Sequence, residues 1–332
     1  MKLSILDLSP ISTGKTSREA LQESMELARI GENLGYTRYW VTEHHDLEGL
    51  ASSAPEILLA YIGANTNRIR IGSGAVLLPH YKPYKIAETF NMLATLFPGR
   101  IDLGVGRAPG GSAEVTMALS DNFLEQVRKM PESLSDLLNF LYQTFPEDNK
   151  FSKVSAAPVP DVMPVPWLLG TSIKSARLAA EYGIPYAFGQ FMSDKEGASI
   201  IKEYKDAFMG GKQRLNPETI ITVSVICAKT TEEAEELALS SDLWSVLRAK
   251  GEAAKGIPSI KEAKEYVFSE EEQEKVKKGR EKVIIGNPTE VKEKLQKIQE
   301  HSQADEIMIT TVTHRFEDRA ASYDLIAKSF LK

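Results

Sequence analysis

Tyr39-Trp40-Val41-Thr42-Glu43-His44-His45-Asp46 joins a short apolar run to a cluster of ionisable side chains. Its first three residues are aromatic or β-branched, which is typical of a β-strand. Its last four residues are all titratable, and burying unpaired charge costs free energy. In α/β proteins, ligands bind where parallel strands end. The segment therefore predicts a buried strand that ends at a binding site, and an ordinary solvated turn is the alternative.

Further apolar segments alternate with helical patterns along the chain, at residues 3–6, 69–78, 101–105, 167–169, 186–189, 220–227 and 306–312. Continuous apolar runs are typical of strands that are buried on both faces. Eight strands that alternate with helices predict a (β/α)8 TIM barrel, which typically needs ~250 residues and leaves room here for insertions. A doubly wound open sheet is the alternative. It ranks second because no break in the alternation divides the chain in two.

One barrel domain is expected over residues 1–332, with insertions at about 113–165 and 250–285. The first insertion begins with a helical region, and five prolines between residues 146 and 166 then predict an extended loop. The second insertion is charged and is predicted to be irregular. It is interpreted most simply as a solvated surface, and a mobile lid over the site is the alternative.

Composition argues against several classes of protein. Asp plus Glu (46) outnumber Lys plus Arg (40), and no dense basic tract occurs, so nucleic acid is not expected as a partner. Cys227 is the only cysteine, which excludes an internal disulfide and a multi-cysteine metal site. No apolar stretch approaches the ~20 residues of a membrane span, and no signal-peptide pattern opens the chain. A soluble, cytoplasmic protein is therefore expected.

In a barrel, the loops at the carboxyl ends of the strands form the active site. That rule gathers polar or small residues that follow or interrupt five strands: Ser9, Glu43, His44, His45, Gly74, Ala75, Arg107, Gly170, Thr171 and Ser172. Histidines suit proton transfer near neutral pH, and an arginine suits an anion. Adjacent histidines on opposite faces of a strand cannot easily chelate one ion, so no metal site is predicted.

Gly170-Thr171-Ser172 precedes a predicted helix and has the components of a phosphate site. Free backbone N–H groups, hydroxyls and the positive end of a helix dipole all favour an anion there. The alternative is that Ser172 only caps its own helix. Arg107 is the candidate for the other half of the site, because a guanidinium binds phosphate through two parallel hydrogen bonds. Its alternative is a surface salt bridge.

Five motifs occur in order along most of the chain: Glu43-His44-His45, Leu77-Leu78-Pro79, Pro98-Gly99-Arg100-Ile101-Asp102-Leu103-Gly104-Val105-Gly106-Arg107, Leu169-Gly170-Thr171-Ser172 and Asn287-Pro288-Thr289. Together they resemble the bacterial luciferase-like flavin-dependent monooxygenase family. The family fold is a (β/α)8 barrel, in agreement with the strand pattern. The resemblance implies that the chain binds reduced FMN, activates O2 with it and oxygenates a small organic substrate.

The resemblance also implies roles for individual residues. His44 matches the family's catalytic histidine, and Gly74-Ala75 would lie against the isoalloxazine ring, joined by a non-proline cis peptide bond. Arg107 and the turn from Thr171 to Ser175 would hold the FMN phosphate. The implied cofactor-binding set is Glu43, Gly74, Ala75, Arg107, Gly170, Thr171, Ser172 and Ser175. Ser9 and His45 are expected in the substrate pocket.

Partners follow from the same resemblance. No nicotinamide motif is visible, so a separate NAD(P)H:flavin reductase would supply FMNH2. The family usually pairs subunits through the helices after the second and third strands, here about 55–66 and 83–97, which predicts a homodimer. Gly106 and Lys82 stand where the light-emitting luciferase subunit has cysteine and histidine, so neither light emission nor an aldehyde substrate is expected.

Two other functions stay open at the level of sequence. The first is an F420-dependent reductase or dehydrogenase on the same barrel, which would transfer hydride and ignore O2. The second is a non-catalytic flavin-binding protein. Consumption of O2 with reduced FMN and a substrate would exclude the first, and a turnover that depends on His44 would exclude the second.

Overall fold

The computed structural model describes residues 1–210, 215–253 and 255–331, and a barrel of parallel strands lies at its centre. The strands are β1 (Lys2–Asp7), β2 (Arg38–Val41), β3 (Arg70–Ser73), β4 (Val76–Leu77), β5 (Ile101–Gly106), β6 (Val165–Gly170), β7 (Tyr186–Gly189), β8 (Thr219–Cys227), β9 (Val283–Gly286) and β10 (Glu306–Thr310). β3 and β4 are two parts of one barrel strand, separated by Gly74 and Ala75. β10 pairs with both β1 and β8, which closes eight strand positions into a ring. The predicted (β/α)8 barrel is confirmed, and an open sheet is excluded.

The helices surround this ring. They are α1 (Ser17–Leu34), α2 (Pro55–Ala64), α3 (Pro83–Leu96), α4 (Ala113–Leu119), α5 (Phe123–Arg128), α6 (Met130–Tyr142), α7 (Ile173–Glu181), α8 (Gly197–Ala207), α9 (Thr231–Lys250), α10 (Ile260–Glu265), α11 (Glu270–Arg280), α12 (Pro288–Ser302) and α13 (Phe316–Phe330). On α3, the apolar stripe of Ile86, Phe90 and Leu93 is buried in the main core, as its helical spacing predicts. Burial of each such side chain contributes about 1.5–3 kcal/mol. Among the described residues, no helix combines the length and the apolar character that a membrane crossing requires.

A buried ionic network closes the amino end of the barrel. Arg38 forms ion pairs with Asp102 (3.0 Å) and Glu306 (2.9 Å), and its guanidinium carbon lies 4.7 Å from the Trp167 ring centroid. Burial by itself would lower the pKa of Arg38, but the charges of Asp102 and Glu306 hold that pKa above its usual value. These residues stand at or near the starts of their strands, so the network fills the amino end of the barrel.

The second insertion is more regular than its charge suggests. β8 is long: its first part pairs with β7 and β10, and its last residues pair with β9 outside the ring. The segment between β8 and β9 forms α9, and then α10 and α11, which pack on α9. The prediction of an irregular segment is therefore wrong for α10 and α11. Residue 254, within the predicted insertion, lies outside the described residues.

Candidate active site

A cavity of about 600 Å³ opens at the carboxyl ends of the barrel strands. Its lining includes most of the residues predicted from the sequence: Glu43, His44, Gly74, Ala75, Arg107, Gly170, Thr171, Ser172 and Ser175. The volume is typical of a small-molecule or cofactor site. A groove of about 890 Å³ lies at the opposite end of the barrel, beside Asn139, Met163 and Tyr182. That groove contains none of the predicted residues, and the amino end of such barrels supports stability rather than catalysis.

Glu43 ties the loop after β2 to the segment that follows β4. One carboxylate oxygen accepts the backbone N–H of Leu77 (3.0 Å), and the other accepts the Tyr81 hydroxyl (2.7 Å) and pairs with His45 Nε2 (2.8 Å). Burial, and then the charge of Glu43, raise the pKa of Tyr81. Both oxygens of Glu43 thus accept protein hydrogen bonds, and this residue fixes the relative position of two segments of the cavity wall.

Ser9 and His45 lie outside the cavity, contrary to the expectation that they line the substrate pocket. Ser9 has a left-handed backbone (φ 52°), which turns its side chain into a buried polar cluster. There its hydroxyl accepts a hydrogen bond from Ser24 (2.9 Å) and donates a long one to Asp7 (3.5 Å). The His45 ring pairs with Glu43 on the opposite face of the strand from His44, and its backbone N–H donates to Gly110 (2.8 Å).

His44 is the histidine that reaches the cavity. Its Nδ1 lies 3.0 Å from Thr42 Oγ1, and its backbone N–H donates to the Ser52 carbonyl (2.8 Å). Burial, followed by the positive charge of Arg248 and the proximity of His45, lowers the pKa of His44 to about 4. The ring is therefore neutral at pH 7, rather than partly protonated as its ordinary pKa suggests. With Nδ1 held by Thr42, Nε2 remains to exchange a proton or a hydrogen bond with a ligand.

Gly74 and Ala75 form the part of the wall between β3 and β4. They are joined by a cis peptide bond, as the resemblance predicts. A Cβ atom on Gly74 would lie 2.6 Å from Leu6 Cδ1, and one on Gly106 would lie 3.2 Å from Ala75 Cβ. A side chain larger than glycine at either position would therefore press on a neighbour, Leu6 at position 74 and Ala75 at position 106.

The start of α7 forms another part of the wall. Ser172 Oγ accepts the Ser175 backbone N–H (3.2 Å), Ser175 Oγ donates to the Ser172 carbonyl (2.7 Å), and the hydroxyls of Ser175 and Tyr186 lie 3.0 Å apart. Ser172 is thus a helix cap in this structure, as its alternative interpretation proposes. Capping satisfies only some of the first-turn N–H groups, so the helix end keeps its positive character.

The α7 cap differs from the other capping boxes in the described part of the chain. Those boxes have glutamate three residues after the cap: Glu19, Glu262, Glu272 and Glu290. The α7 box has Ser175 instead, and its first turn has Lys174 and no acidic residue. Arg107 is exposed across the same cavity and has no hydrogen-bond partner among the described residues. Within the part of the chain that the structure describes, this end of the cavity is therefore positive and has no carboxylate.

Sequence reasoning missed several cavity residues that lie on helices. Arg128 on α5, Lys174 on α7 and Arg248 on α9 add three positive charges to the lining, while Glu43 is its single carboxylate among the described residues. Lys174 lies inside the predicted 171–175 turn, so the rule that selected Ser172 was sufficient to find it. Arg128 lies in the first insertion and Arg248 lies near the end of α9, and nothing in the local pattern relates either residue to a strand end. The floor is apolar and includes Leu6, Leu168, Ala187 and Met308.

Comparison with known proteins gives the family of the chain. A family model described as luciferase-like monooxygenase matches residues 1–304. A luciferase-like monooxygenase of Escherichia coli strain K12 is 35% identical, over 97% of this chain and 95% of its own. N-acetyl-S-alkylcysteine monooxygenase of Bacillus subtilis is 36% identical, over 100% of this chain and 98% of its own. The crystal structure of apo-MsnO8 has a TM-score of 0.87 and 34% identity, over 99% of this chain and 98% of that chain.

More distant solved structures share the fold. The oxygenating constituent of 3,6-diketocamphane monooxygenase from Pseudomonas putida, in complex with FMN, has a TM-score of 0.71 and 19% identity, over 99% of this chain and 97% of that chain. An F420-dependent secondary alcohol dehydrogenase, in complex with an F420-acetone adduct, has a TM-score of 0.64 and 14% identity, over 99% of both chains. These two likenesses show the fold alone. On the family match and its sequence relatives, the chain belongs to the luciferase-like monooxygenase family, and the prediction of a monooxygenase enzyme is confirmed.

Proposed function

We propose that the chain is the oxygenase component of a two-component monooxygenase, which binds reduced FMN and uses O2 to oxygenate a small organic substrate. The observation that carries this proposal is the start of α7, a positive, carboxylate-free helix end on the same cavity as His44. Such a helix end favours a phosphate. An NAD(P)H:flavin reductase, a separate protein, supplies FMNH2 in this scheme, as the sequence resemblance implies.

The residues present fit an FMN phosphate and ring. Arg107, Lys174 and the serines of the α7 cap would hold the phosphate by charge-assisted hydrogen bonds. The wall of Gly74 and Ala75 would receive the flat ring, because small side chains leave room beside it. Bound reduced FMN supplies the activation of O2, and the protein orients it and excludes water.

His44 is the proposed catalytic residue. Because its ring is neutral, Nε2 can accept a proton from the substrate or hold a hydrogen bond to it at neutral pH. Thr42 fixes the orientation of the ring through Nδ1. Glu43 positions the wall beside it through Leu77 and Tyr81.

A matched pair of variants tests the phosphate site. Ser175→Glu and Ser175→Gln are almost the same size and differ in charge, and glutamate is the residue found in the other capping boxes. We expect FMNH2 affinity, titrated anaerobically, to fall at least tenfold in Ser175→Glu relative to Ser175→Gln, because one charge-assisted contact is worth about 1.5–3 kcal/mol. The two melting temperatures should agree with each other. Equal FMNH2 affinities in the two variants would contradict the proposed phosphate site.

The same titrations separate the competing functions. Tighter binding of F420 than of FMNH2 by the wild type would indicate an F420-dependent enzyme that transfers hydride. Consumption of O2 with reduced FMN and a substrate, abolished in a His44→Ala variant, supports the oxygenase. Tight FMN binding with no turnover that depends on His44 would indicate a flavin-binding protein instead.

We also propose a homodimer that forms through α2 and α3. These neighbouring helices expose large apolar side chains to solvent, Ile57 and Tyr61 on α2 and Met92 and Leu96 on α3. Exposed apolar side chains on adjacent helices are what a subunit interface buries. This location agrees with the helices that the resemblance implicates.

A further inference from the structure

Arg248 is a cavity residue that the proposed flavin site does not use. It lies in the last turn of α9 and lines the cavity. Its guanidinium carbon lies 4.7 Å from the ring centroid of Trp244, one turn earlier on the same helix. Within the described residues it forms no ion pair, whereas Arg280 on the neighbouring α11 is paired with Glu235 and Asp242. Arg248 is thus held against an aromatic ring and has no carboxylate of its own.

The surroundings of Trp244 place Arg248 on one side of the barrel. Trp244 packs in a cluster with Leu50 and Ile257, against Leu8 and Val312, which follow β1 and β10. In the ring of eight strand positions, β1 is four positions from β6, which leads into α7. The guanidinium therefore lies across the cavity from the α7 end, on the side where His44 follows β2. An anion bound at the start of α7 therefore leaves the Arg248 guanidinium without a ligand.

We propose that Arg248 binds the carboxylate of the organic substrate, which is therefore an acid with an apolar body. This inference rests on the proposed function, because the flavin site at α7 assigns the opposite side of the cavity to the substrate. The guanidinium lies over the Trp244 ring and carries its N–H groups in a fixed fork, which fits a carboxylate through two parallel hydrogen bonds. The rest of the lining on this side suits an apolar body and includes Leu8, Leu50 and Met308.

The location of Arg248 gives it a role in specificity as well as in affinity. Its charge acts on the His44 ring, so a carboxylate bound to it lies next to the proposed catalytic residue. Binding at this point fixes one end of the substrate, and the apolar remainder then extends over the cavity floor toward the flavin wall. An analogue that lacks the carboxylate makes no ion pair with the guanidinium and therefore binds more weakly than the acid.

Equilibrium binding tests this inference independently of turnover. The probes are N-acetylmethionine, 4-phenylbutyrate and dodecanoate, each with its neutral primary amide, titrated calorimetrically into protein with and without FMN. We expect at least one acid to bind wild type at least tenfold more tightly than its amide. Arg248→Gln should abolish that preference while the affinities for the amide and for FMN change less than twofold. The matched control is Lys250→Gln, which removes a charge from the same helix end and should keep the preference.

Each other outcome is informative. An unchanged ratio of acid to amide affinity in Arg248→Gln would overturn the inference, and so would the failure of every acid to bind wild type. A tenfold loss of FMN affinity in Arg248→Gln would assign the residue to the cofactor and overturn it as well. A preference for acids that depends on Arg248, in a protein that binds no flavin, would support the anion site and refute the proposed FMN-dependent function alone.

Discussion

The neutral imidazole of His44 makes the free energy of unfolding depend on pH between its ordinary pKa and its lowered pKa. Burial is the main cause that lowers the pKa of His44 from 6.5 to about 4, and the charge of Arg248 adds to it. Between these two values the unfolded chain binds more protons than the folded chain. Stability from this residue is therefore fully present above pH 6.5 and is lost as the pH falls to about 4. At 1.36 kcal/mol per pH unit, the loss is about 3 kcal/mol.

The variant His44→Asn isolates this contribution. Asparagine keeps a polar group near Thr42 Oγ1, as His44 Nδ1 does, but it does not titrate. Urea unfolding at pH 7, 6, 5 and 4 gives the free energy of unfolding of each protein. We expect the stability of wild type relative to the variant to decrease by about 3 kcal/mol between pH 7 and pH 4. His301→Gln, which removes an exposed histidine that pairs with Glu196, is the control for the loss of a histidine outside the cavity.

Parallel pH profiles for wild type and His44→Asn would refute this reasoning. Such a result means that the folded and unfolded chains protonate His44 at the same pH, so the cavity hydrates the ring. A folded-state titration of the imidazole near pH 6.5 in NMR spectra would establish the same point directly. His44 would then be partly charged at pH 7, and its proposed role as a neutral acceptor would fail.

Two further predictions concern the barrel floor and the subunit interface. Asp102→Asn removes the negative charge that faces Arg38 and Arg70. We expect it to lower the free energy of unfolding by about 3–5 kcal/mol and to leave the FMN affinity of the folded protein unchanged. A loss below about 1 kcal/mol in urea unfolding would contradict a network that stabilises the floor. Ile57→Glu combined with Met92→Glu places charges on the exposed faces of α2 and α3. In light scattering we expect a monomer mass near 37 kDa for this double variant and twice that mass for wild type. A double variant that keeps the dimer mass would show that the interface lies elsewhere.

Much of the fold was predictable because its signals are local. The Thr16–Glu19 capping box and the left-handed Gly35 mark the two ends of α1 where the sequence suggests them. The barrel then places the residues that follow each strand at the carboxyl end, because all of its strands run in the same direction. His44 and Arg107 reach the cavity for that reason. The same local signal was present for α10 and α11, which begin with Ser259-x-x-Glu262 and Ser269-x-x-Glu272, but the surrounding charge suggested an irregular segment.

The remaining site residues depend on contacts that no local pattern encodes. Ser9 follows a strand as the rule requires, yet its left-handed backbone turns the hydroxyl toward Ser24 and away from the cavity. Arg248 is separated from β8 by almost the whole of α9, and it reaches the cavity because Trp244 packs against loops from other strands. Whether a side chain at the right end of the barrel faces a ligand is therefore decided by tertiary packing.

The positive charge of the cavity links recognition to the state of His44. Arg107, Arg128, Lys174 and Arg248 line it, and its one described carboxylate, Glu43, is already paired with His45. This balance favours anionic ligands, and through Arg248 it also opposes a proton on His44. An anion bound at Arg248 would offset that second cause, so we expect the pKa of His44 to rise on binding while burial still holds it below its ordinary value. The ring would then be a better proton acceptor with the anion in place than in the empty cavity.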